Sequence, residues 1–130
     1  MAGKRSTSLA RIRDGHALLT KIERLHLLEL EREAADLAEL ETALAQSLAN
    51  GVVNPNLAKA YAERLKSVRG KAVLVGLRIE AQAGKTLSQA AREKVAERLL
   101  GKVTTEEKRV AERSELAEII ENALTKTSLP

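Results

Sequence analysis

Ala, Leu, Glu, Lys and Arg account for 80 of the 130 residues, and the net charge is +4. Such a composition is typical of coiled coils and long helices. The chain has no Cys, Phe or Trp and one Tyr, which excludes disulfides and thiolate chemistry and argues against a rounded aromatic core. We see neither a membrane-spanning segment nor a secretory signal, and we expect a cytoplasmic protein.

Charge is unevenly distributed along the chain. Residues 16–50 carry a net charge of −4, and residues 51–105 carry a net charge of +7. Blocks of opposite sign predict that an acidic first helix lies beside a basic second one. The basic segment 59–102 holds eleven Lys and Arg residues. We expect them on several helical faces, mostly solvated and partly paired with the acidic helix, and without the aromatic side chains that stack on bases.

A first helix is predicted over residues 9–49, after a basic segment 1–8 that we expect to be disordered. Its inward positions are predicted to be Leu9, Ile12, His16, Leu19 and Ile22, followed by Leu30, Leu37 and Leu44 at seven-residue spacing. This pattern indicates a heptad-like seam. The Asn50-Gly51 pair ends the helix, because both residue types tolerate the left-handed conformation.

A second helix is predicted over residues 55–124, after a turn at 50–54 and before a tail at 125–130. Asn54 is the expected N-cap and Pro55 the first helical residue. The predicted inward positions are Leu57, Tyr61, Leu65, Val68, Ala72, Val75 and Ile79. A connection of about five residues makes the helices antiparallel neighbours. The predicted fold is therefore all-α, an antiparallel two-helix coiled-coil hairpin with unequal arms, forming a single domain over residues 9–124.

The second helix contains an ambiguous stretch. Gly84 and Gly101 lie in otherwise helical sequence, where each costs about 1 kcal/mol relative to Ala, and Thr104-x-x-Glu107 matches a capping box. A break near residues 101–104 would create a short third helix. The seven-residue spacing of Val103, Val110, Ala117 and Leu124 favours one continuous helix instead.

No catalytic or metal-binding constellation is expected. His16 and His26 point to different faces of a helix. The single Glu23-x-x-His26 motif lacks the second motif and the two further Glu residues that a di-iron bundle requires. The carboxylates lie on polar helical faces, where nothing excludes water. We therefore predict a non-enzymatic protein without a cofactor, a metal or a small-molecule substrate.

The order of four sequence features carries a family resemblance. A Leu9-Ala-Arg-Ile-Arg13 start leads into the acidic helix, and the second helix begins with Tyr61-x-x-x-Leu65-x-x-Val68. It continues through QAAREKVAERLL (89–100) and closes on EKRVAERSELAEIIENAL (107–124). This layout resembles the flagellar export protein FliJ and its type III secretion counterparts. The resemblance covers residues 9–124 and is one of pattern; the chain departs from the family in lacking aromatic residues near the turn.

The resemblance implies a coiled-coil stalk of the flagellar or type III protein export apparatus. Proteins of that family bind the export ATPase hexamer through their chain ends, and the export gate protein and export chaperones through their turn end. The matching end residues are Arg11, Arg13, Arg109, Arg113, Leu116 and Glu118. The matching turn-end residues are Leu44, Leu48, Leu57, Tyr61, Leu65 and Val68. The implied location is the cytoplasmic face of the flagellar basal body, peripheral to the membrane through protein partners.

Two alternative functions remain open from the sequence. A small basic nucleic-acid-binding helical protein requires its basic side chains in one continuous stripe, so that they can neutralise successive phosphates. An unrelated coiled-coil adaptor or chaperone requires only the two helices. Neither the oligomeric state nor the identity of a partner follows from the sequence.

Overall fold

The computed structural model describes residues 3–51 and 54–127. Two helices make up this part of the chain: α1, Lys4–Ala49, and α2, Pro55–Thr127. They pack against each other, and the described ranges contain no strand, which confirms the predicted all-α class. Contacts divide the chain into two compact units. We call Leu19–Gln89 the turn unit, and Met1–Leu18 with Ala90–Pro130 the end unit.

Neither helix contains, within residues 3–51 and 54–127, an apolar segment long enough to cross a membrane.

The end of α1 is closed by a glycine. The backbone N–H of Asn50 donates to the carbonyl of Gln46 at 2.9 Å, and that of Gly51 donates to the carbonyl of Leu48 at 3.3 Å. Gly51 has a φ of 82°, a left-handed conformation that glycine adopts without steric cost. This local geometry stops the helix at Ala49.

The start of α2 is set by an asparagine and a proline. The side-chain Oδ1 of Asn54 accepts the N–H of Asn56 at 3.0 Å, and its carbonyl accepts the N–H of Ala58 at the same distance. Pro55 is the first helical residue, where its missing N–H costs nothing. Val52 and Val53, which the sequence places in the turn, lie outside the described residues.

The two helices of the turn unit meet along positions that repeat every seven residues, which we call the seam. On α1 the seam consists of Thr20, Glu23, Leu27, Leu30, Ala34, Leu37, Glu41, Leu44 and Leu48. On α2 it consists of Tyr61, Leu65, Val68, Ala72, Val75, Ile79, Gln82, Thr86 and Gln89. All these side chains are buried or half-buried. Their strict alternation of three- and four-residue steps is the 3.5-residue period of a coiled coil.

A polar layer crosses the seam of the turn unit. Gln82 is 9% exposed, and its Nε2 donates to the backbone carbonyl of Glu23 at 3.1 Å and to the Glu23 carboxylate. The hydroxyl of Thr86 donates to the carbonyl of Gln82 at 2.9 Å, and Thr20 is 1% exposed. A buried amide that finds its acceptors in only one alignment selects that alignment over its neighbours.

The predicted apolar stripe at the start of α1 is wrong at three positions. Ile12, Leu19 and Ile22 are exposed, whereas the inward positions include Leu9, His16 and the polar layer. Counting back from Leu44, Leu37 and Leu30 in steps of seven leads to Glu23. Helix α2 therefore packs against polar Glu23, and its apolar neighbour Ile22 remains exposed. A straight helix drifts by about 20° per heptad against a 3.5-residue repeat, so apolar spacing alone did not fix this phase.

The segment expected to be disordered at residues 1–8 is helical from Lys4. The Glu107 carboxylate accepts the backbone N–H of Gly3 at 3.2 Å and that of Ser6 at 3.3 Å. The carbonyl of Gly3 in turn accepts the N–H of Thr7 at 3.1 Å. Two N–H groups near the start of α1 are thus satisfied by a side chain of α2, a cap that the local sequence does not reveal.

Helix α2 has no break near residues 101–104. Val103 is buried, and the hydroxyl of Thr105 donates to the carbonyl of Gly101 at 2.8 Å within the helix. The helix runs to Thr127, through the first part of the tail predicted at 125–130; residues 128–130 lie outside the described ranges. Every residue from Lys108 to Thr127 is exposed. We call this segment the arm.

We expect substitution of Glu107 to loosen the first turn of α1. In Glu107→Ala the Cα chemical shifts of Ser6 and Thr7 should move toward coil values, because two N–H groups lose their acceptor. The neighbouring exposed Glu106→Ala is the matched control and should leave both shifts unchanged. Unaltered shifts in Glu107→Ala would show that the cap does not hold this turn.

The same contact predicts a pH dependence. Hydrogen bonding by Ser6, opposed by desolvation and assisted by the Gly3 N–H, lowers the pKa of Glu107 from its ordinary value of 4.5. A carboxyl with a lowered pKa in the folded state stabilises that state above its ordinary pKa, and this stabilisation is lost as the pH falls through the folded value. The Ser6 and Thr7 shifts should therefore change as the pH falls below the ordinary value of 4.5 in the parent and stay constant in Glu107→Ala.

Two substitutions of Gln82 separate stability from alignment. Gln82→Ala should lower the free energy of unfolding in urea by about 1–3 kcal/mol, because the half-buried Glu23 carboxylate loses its donor. Gln82→Leu should cost less, yet broaden the distance between spin labels at the exposed positions 31 and 80, because an apolar seam tolerates shifted alignments. Exposed Gln46→Ala serves as the control. A sharp distance in Gln82→Leu contradicts the assignment of register to this layer.

Candidate interaction surfaces

The arm is an amphipathic helix without a partner among the described residues. Leu116, Ile120 and Leu124 follow one another at four-residue spacing and share one face, and Leu116 is 57% exposed. Glu115 and Glu118 lie on the opposite face, and Glu121, three residues before Leu124, lies at the border between the two faces. Helices in proteins gain most of their stability from packing of an amphipathic face, and every residue of the arm is exposed. A face of this kind is typical of a segment that packs against another protein.

The predicted end site divides into two patches within the end unit. The arm carries Arg109, Arg113, Leu116 and Glu118, all exposed. The contact of Glu107 with Gly3 and Ser6 sets the level at which α1 starts. At 1.5 Å per residue, Arg11 and Arg13 lie roughly 10–14 Å from that level in one direction and Arg113 about 9 Å in the other. The two groups of arginines are therefore roughly 20 Å apart along the helix axis and form two patches.

The two N-terminal arginines also differ from each other. Arg11 is exposed. Arg13 occupies a half-buried position and forms an ion pair with Asp14 at 2.9 Å. Of the two, Arg11 is the residue whose charge is available to a partner.

The predicted turn-end residues are mostly part of the seam. Leu65 and Val68 are buried, with Val68 1% exposed, and Leu44, Leu48 and Tyr61 are half-buried. Leu57 is 44% exposed because the inward position at the start of α2 is Ala58. Leu57 is therefore the one predicted gate- or chaperone-binding residue that offers a large exposed side chain. Leu65 and Val68 stabilise the hairpin of the turn unit instead.

Charge pairing between the helices is sparse. In the turn unit the Nε of Arg69 lies 3.0 Å from a carboxylate oxygen of Glu41, and both groups remain partly exposed. Exposed pairs of this kind contribute about 0–1 kcal/mol. The opposite charges of residues 16–50 and 51–105 therefore do not hold the helices together through paired side chains.

Sequence reasoning missed a row of basic residues on α2. Arg64, Lys71, Arg78 and Lys85 repeat every seven residues in the turn unit, and all four are exposed. We call them the basic row. The repeat places one positive charge about every 10.5 Å along a single helical face. None of the four is paired with a carboxylate among the described residues.

The basic residues of segment 59–102 occupy several faces of α2, and the basic row is a regular subset that the sequence reasoning did not single out. Lys59, Lys66 and Arg69 do lie on other faces, but the basic row shares one. The signal was present as the spacing of Arg64, Lys71, Arg78 and Lys85. The row is recognised once each basic residue is assigned its position in the seven-residue repeat of the seam.

Nothing among the described residues brings three His, Asp or Glu side chains close enough to hold a metal ion. Glu23 accepts hydrogen bonds from Gln82, while His26 is exposed on another face. Shallow grooves do flank the helices, one of them lined by Ser6, Thr7, Ala10, Leu100, Thr104, Glu107, Lys108 and Ala111. The Glu107 side chain, which caps α1, forms part of the wall of that groove.

Comparisons with known protein families, curated proteins and solved structures found no match.

Proposed function

We propose that this protein is a non-enzymatic coiled-coil component of a type III protein export apparatus, of the flagellar kind, and that it binds the export ATPase ring through the arm. The observation that carries the proposal is the arm itself, residues 108–127, an exposed amphipathic helix beyond the start of α1. The FliJ-like layout of the sequence supports the choice of partner.

The arm has the properties that a ring-filling segment requires. A single helix is about 10–12 Å across with its side chains, and no aromatic ring widens this one. Arg109 and Arg113 precede Leu116 and Ile120 on the same face of the arm, in steps of four, three and four residues, so this face offers both charged and apolar contacts. A helix of this kind affects the assembly or turnover of a ring through contact alone, and the hydrolytic site belongs to the ATPase.

The turn end is the part of the chain that we assign to the export gate protein and export chaperones. Leu57 supplies an exposed apolar side chain there, with half-buried Leu44, Leu48 and Tyr61 nearby in the seam. Binding through two separated surfaces would connect the ATPase with the gate at the cytoplasmic face of the basal body. The protein is then peripheral to the membrane through its partners.

Substitutions on the apolar face of the arm test whether the arm binds the export ATPase. Leu116→Asp combined with Ile120→Asp should weaken binding to the export ATPase of the same organism at least tenfold, since truncated or charged anchors at the centre of an interface commonly cost about 2 kcal/mol or more. Stimulation of ATP hydrolysis should fall in parallel. Leu28→Asp, on an exposed face of α1, is the control and should bind as the parent does. Equal binding by the arm variant and the parent would reject the proposal.

The separation of the two arginine patches adds a second measurement. Arg109→Glu with Arg113→Glu should reduce ATPase binding more than Arg11→Glu with Arg13→Glu, because only the first pair lies on the arm. Circular dichroism at 222 nm should show equal helix content in all variants. The reverse order of effects would assign the ATPase contact to α1.

One observation favours a second candidate function. The basic row is the kind of stripe that a nucleic-acid-binding helix requires, and its four residues are unpaired within the described ranges. Its surroundings argue against that function, since no aromatic side chain accompanies the row and bases have nothing to stack on.

Salt distinguishes the two candidates. A complex held only by neutralisation of about four phosphates should weaken with a slope of log K against log salt near −4. We expect duplex DNA to bind weakly at 50 mM salt and to be released at 200 mM, measured by fluorescence anisotropy. A sequence-selective complex that survives 200 mM salt would establish the nucleic-acid function instead.

A further inference from the structure

The outer side of α2 in the turn unit carries a second periodic stripe. Gly70, Leu74, Leu77, Ala81, Gly84 and Ser88 follow one another in steps of four, three, four, three and four residues. We call them the outer stripe. All six are uncharged and exposed, and Leu74 and Leu77 are 56% and 58% exposed. Their spacing is that of the seam, displaced to the face of α2 that points away from it.

The basic row borders the outer stripe along its whole length. In heptad order, Lys71, Arg78 and Lys85 lie between the outer stripe and the seam, one in each repeat. The opposite border is mixed, with Lys66, Val73, Glu80 and Leu87. An uncharged periodic stripe bordered by charge is the arrangement of a coiled-coil interface, in which the flanking charges select the partner.

Two glycines of the outer stripe have no role within the chain. Gly70 and Gly84 are helical, and a Cβ placed on either would have no heavy atom within 4 Å beyond its own local helix. Glycine is less favourable than alanine in a helix interior, and here neither a turn nor a packing contact requires it. Close approach by the backbone of another helix does benefit from a missing side chain.

We infer that the outer stripe and the basic row together form a docking surface for an acidic amphipathic helix of a partner protein. The helix lays its apolar residues along Leu74, Leu77 and Ala81 and places its Glu or Asp residues beside Lys71, Arg78 and Lys85. This surface belongs to the turn unit, whereas the arm belongs to the end unit, and the inference does not depend on the assignment to an export apparatus.

The charge and shape of the surface select this occupant over others. A nucleic acid would contact the basic row but would leave Leu74 and Leu77, which lie at coiled-coil spacing, exposed. A helix with a heptad of apolar residues uses both, and an acidic flank complements four like charges that nothing in the described chain neutralises. Charged flanks of this kind set partner choice and association rate more than they set affinity.

The test uses the full chain and two synthetic three-heptad helices. Both probes carry Leu at their a and d positions; one has Glu at every e and g position and the other has Lys. Binding is measured by fluorescence anisotropy at 150 mM salt. The Glu probe should bind and the Lys probe should not.

Charge reversal then assigns the site. Lys71→Glu, Arg78→Glu and Lys85→Glu together should reduce affinity for the Glu probe roughly tenfold or more, since each exposed pair contributes modestly and its reversal adds repulsion. The matched control is Lys21→Glu, Arg24→Glu and Arg32→Glu, which changes the net charge equally at exposed positions of α1 and should cost much less. Equal losses in the two triple variants would mean a non-specific charge effect and overturn the inference.

Substitution of the glycines tests the close approach of a second helix, which charge reversal does not test. Gly84→Ala should raise Tm by about 3 °C, because the helix gains propensity and the Cβ meets open space, and should at the same time weaken binding of the Glu probe. Gly76→Ala, also with open space around its Cβ but outside the outer stripe, should raise Tm similarly and leave binding intact. If both variants bind the Glu probe as the parent does, no helix approaches closely there.

Two further outcomes would show that the surface binds something other than a partner helix. Displacement of the Glu probe by a 20-base-pair DNA duplex at 150 mM salt, abolished by the row reversal alone, would identify the basic row as a polyanion site. A dimer in sedimentation equilibrium that dissociates in the row reversal would show that the surface binds a second copy of this chain. A monomeric chain that keeps the Glu probe against DNA supports the partner helix.

Discussion

The contact between Gln82 and Glu23 is the constraint on which the rest of the turn unit depends. The seam is built from Ala, Val, Leu and Ile without large rings, and such residues pack almost equally well after a shift of one heptad. A shift would place Gln82 opposite Leu30 in place of Glu23, and the buried amide would lose its acceptors at about 1–3 kcal/mol. Apolar burial therefore brings the helices together, and a polar layer decides how they align.

Once that alignment is fixed, every other side chain has an assigned direction. The 3.5-residue phase directs Leu65, Val68 and Val75 inward, and it leaves Leu57 and Ile22 exposed. Arg64, Lys71, Arg78 and Lys85 share one face of α2 through their seven-residue spacing, and the phase of the seam leaves that face beside an uncharged stripe. The surfaces that distinguish this chain from any other coiled coil are thus consequences of its internal register. None of them requires a loop, a pocket or a strained residue.

Features of short range were predictable from the sequence, and features set by the partner helix were not. The Gly51 and Asn54 caps and the inward positions Tyr61 to Ile79 depend on neighbouring residues, and the structure has them as predicted, Leu57 excepted. The start of α1 depends on Glu107, about a hundred residues away, and its phase depends on Gln82. The end site was predicted as one cluster, but the alignment places Arg13 and Arg113 on opposite sides of the helix start. The basic row was predictable as well, because the seven-residue spacing of Arg64, Lys71, Arg78 and Lys85 by itself places them on one face of α2.

The thin seam makes stability and binding parts of one equilibrium. Among the described residues five apolar side chains are buried, from Leu65 to Val103, whereas eighteen large apolar side chains are exposed. The folded chain therefore gains little from its own interior, and a partner that binds only the folded form stabilises it by about 2.7 kcal/mol at a hundredfold excess over its Kd. Every residue of the arm is exposed, so little tertiary packing stabilises its helix, and a bound partner would add to that stability. In the proposed complex, helix formation in the arm and partner binding are coupled, and a substitution that lowers helix propensity on the solvent face of the arm would weaken binding without removing an interface contact.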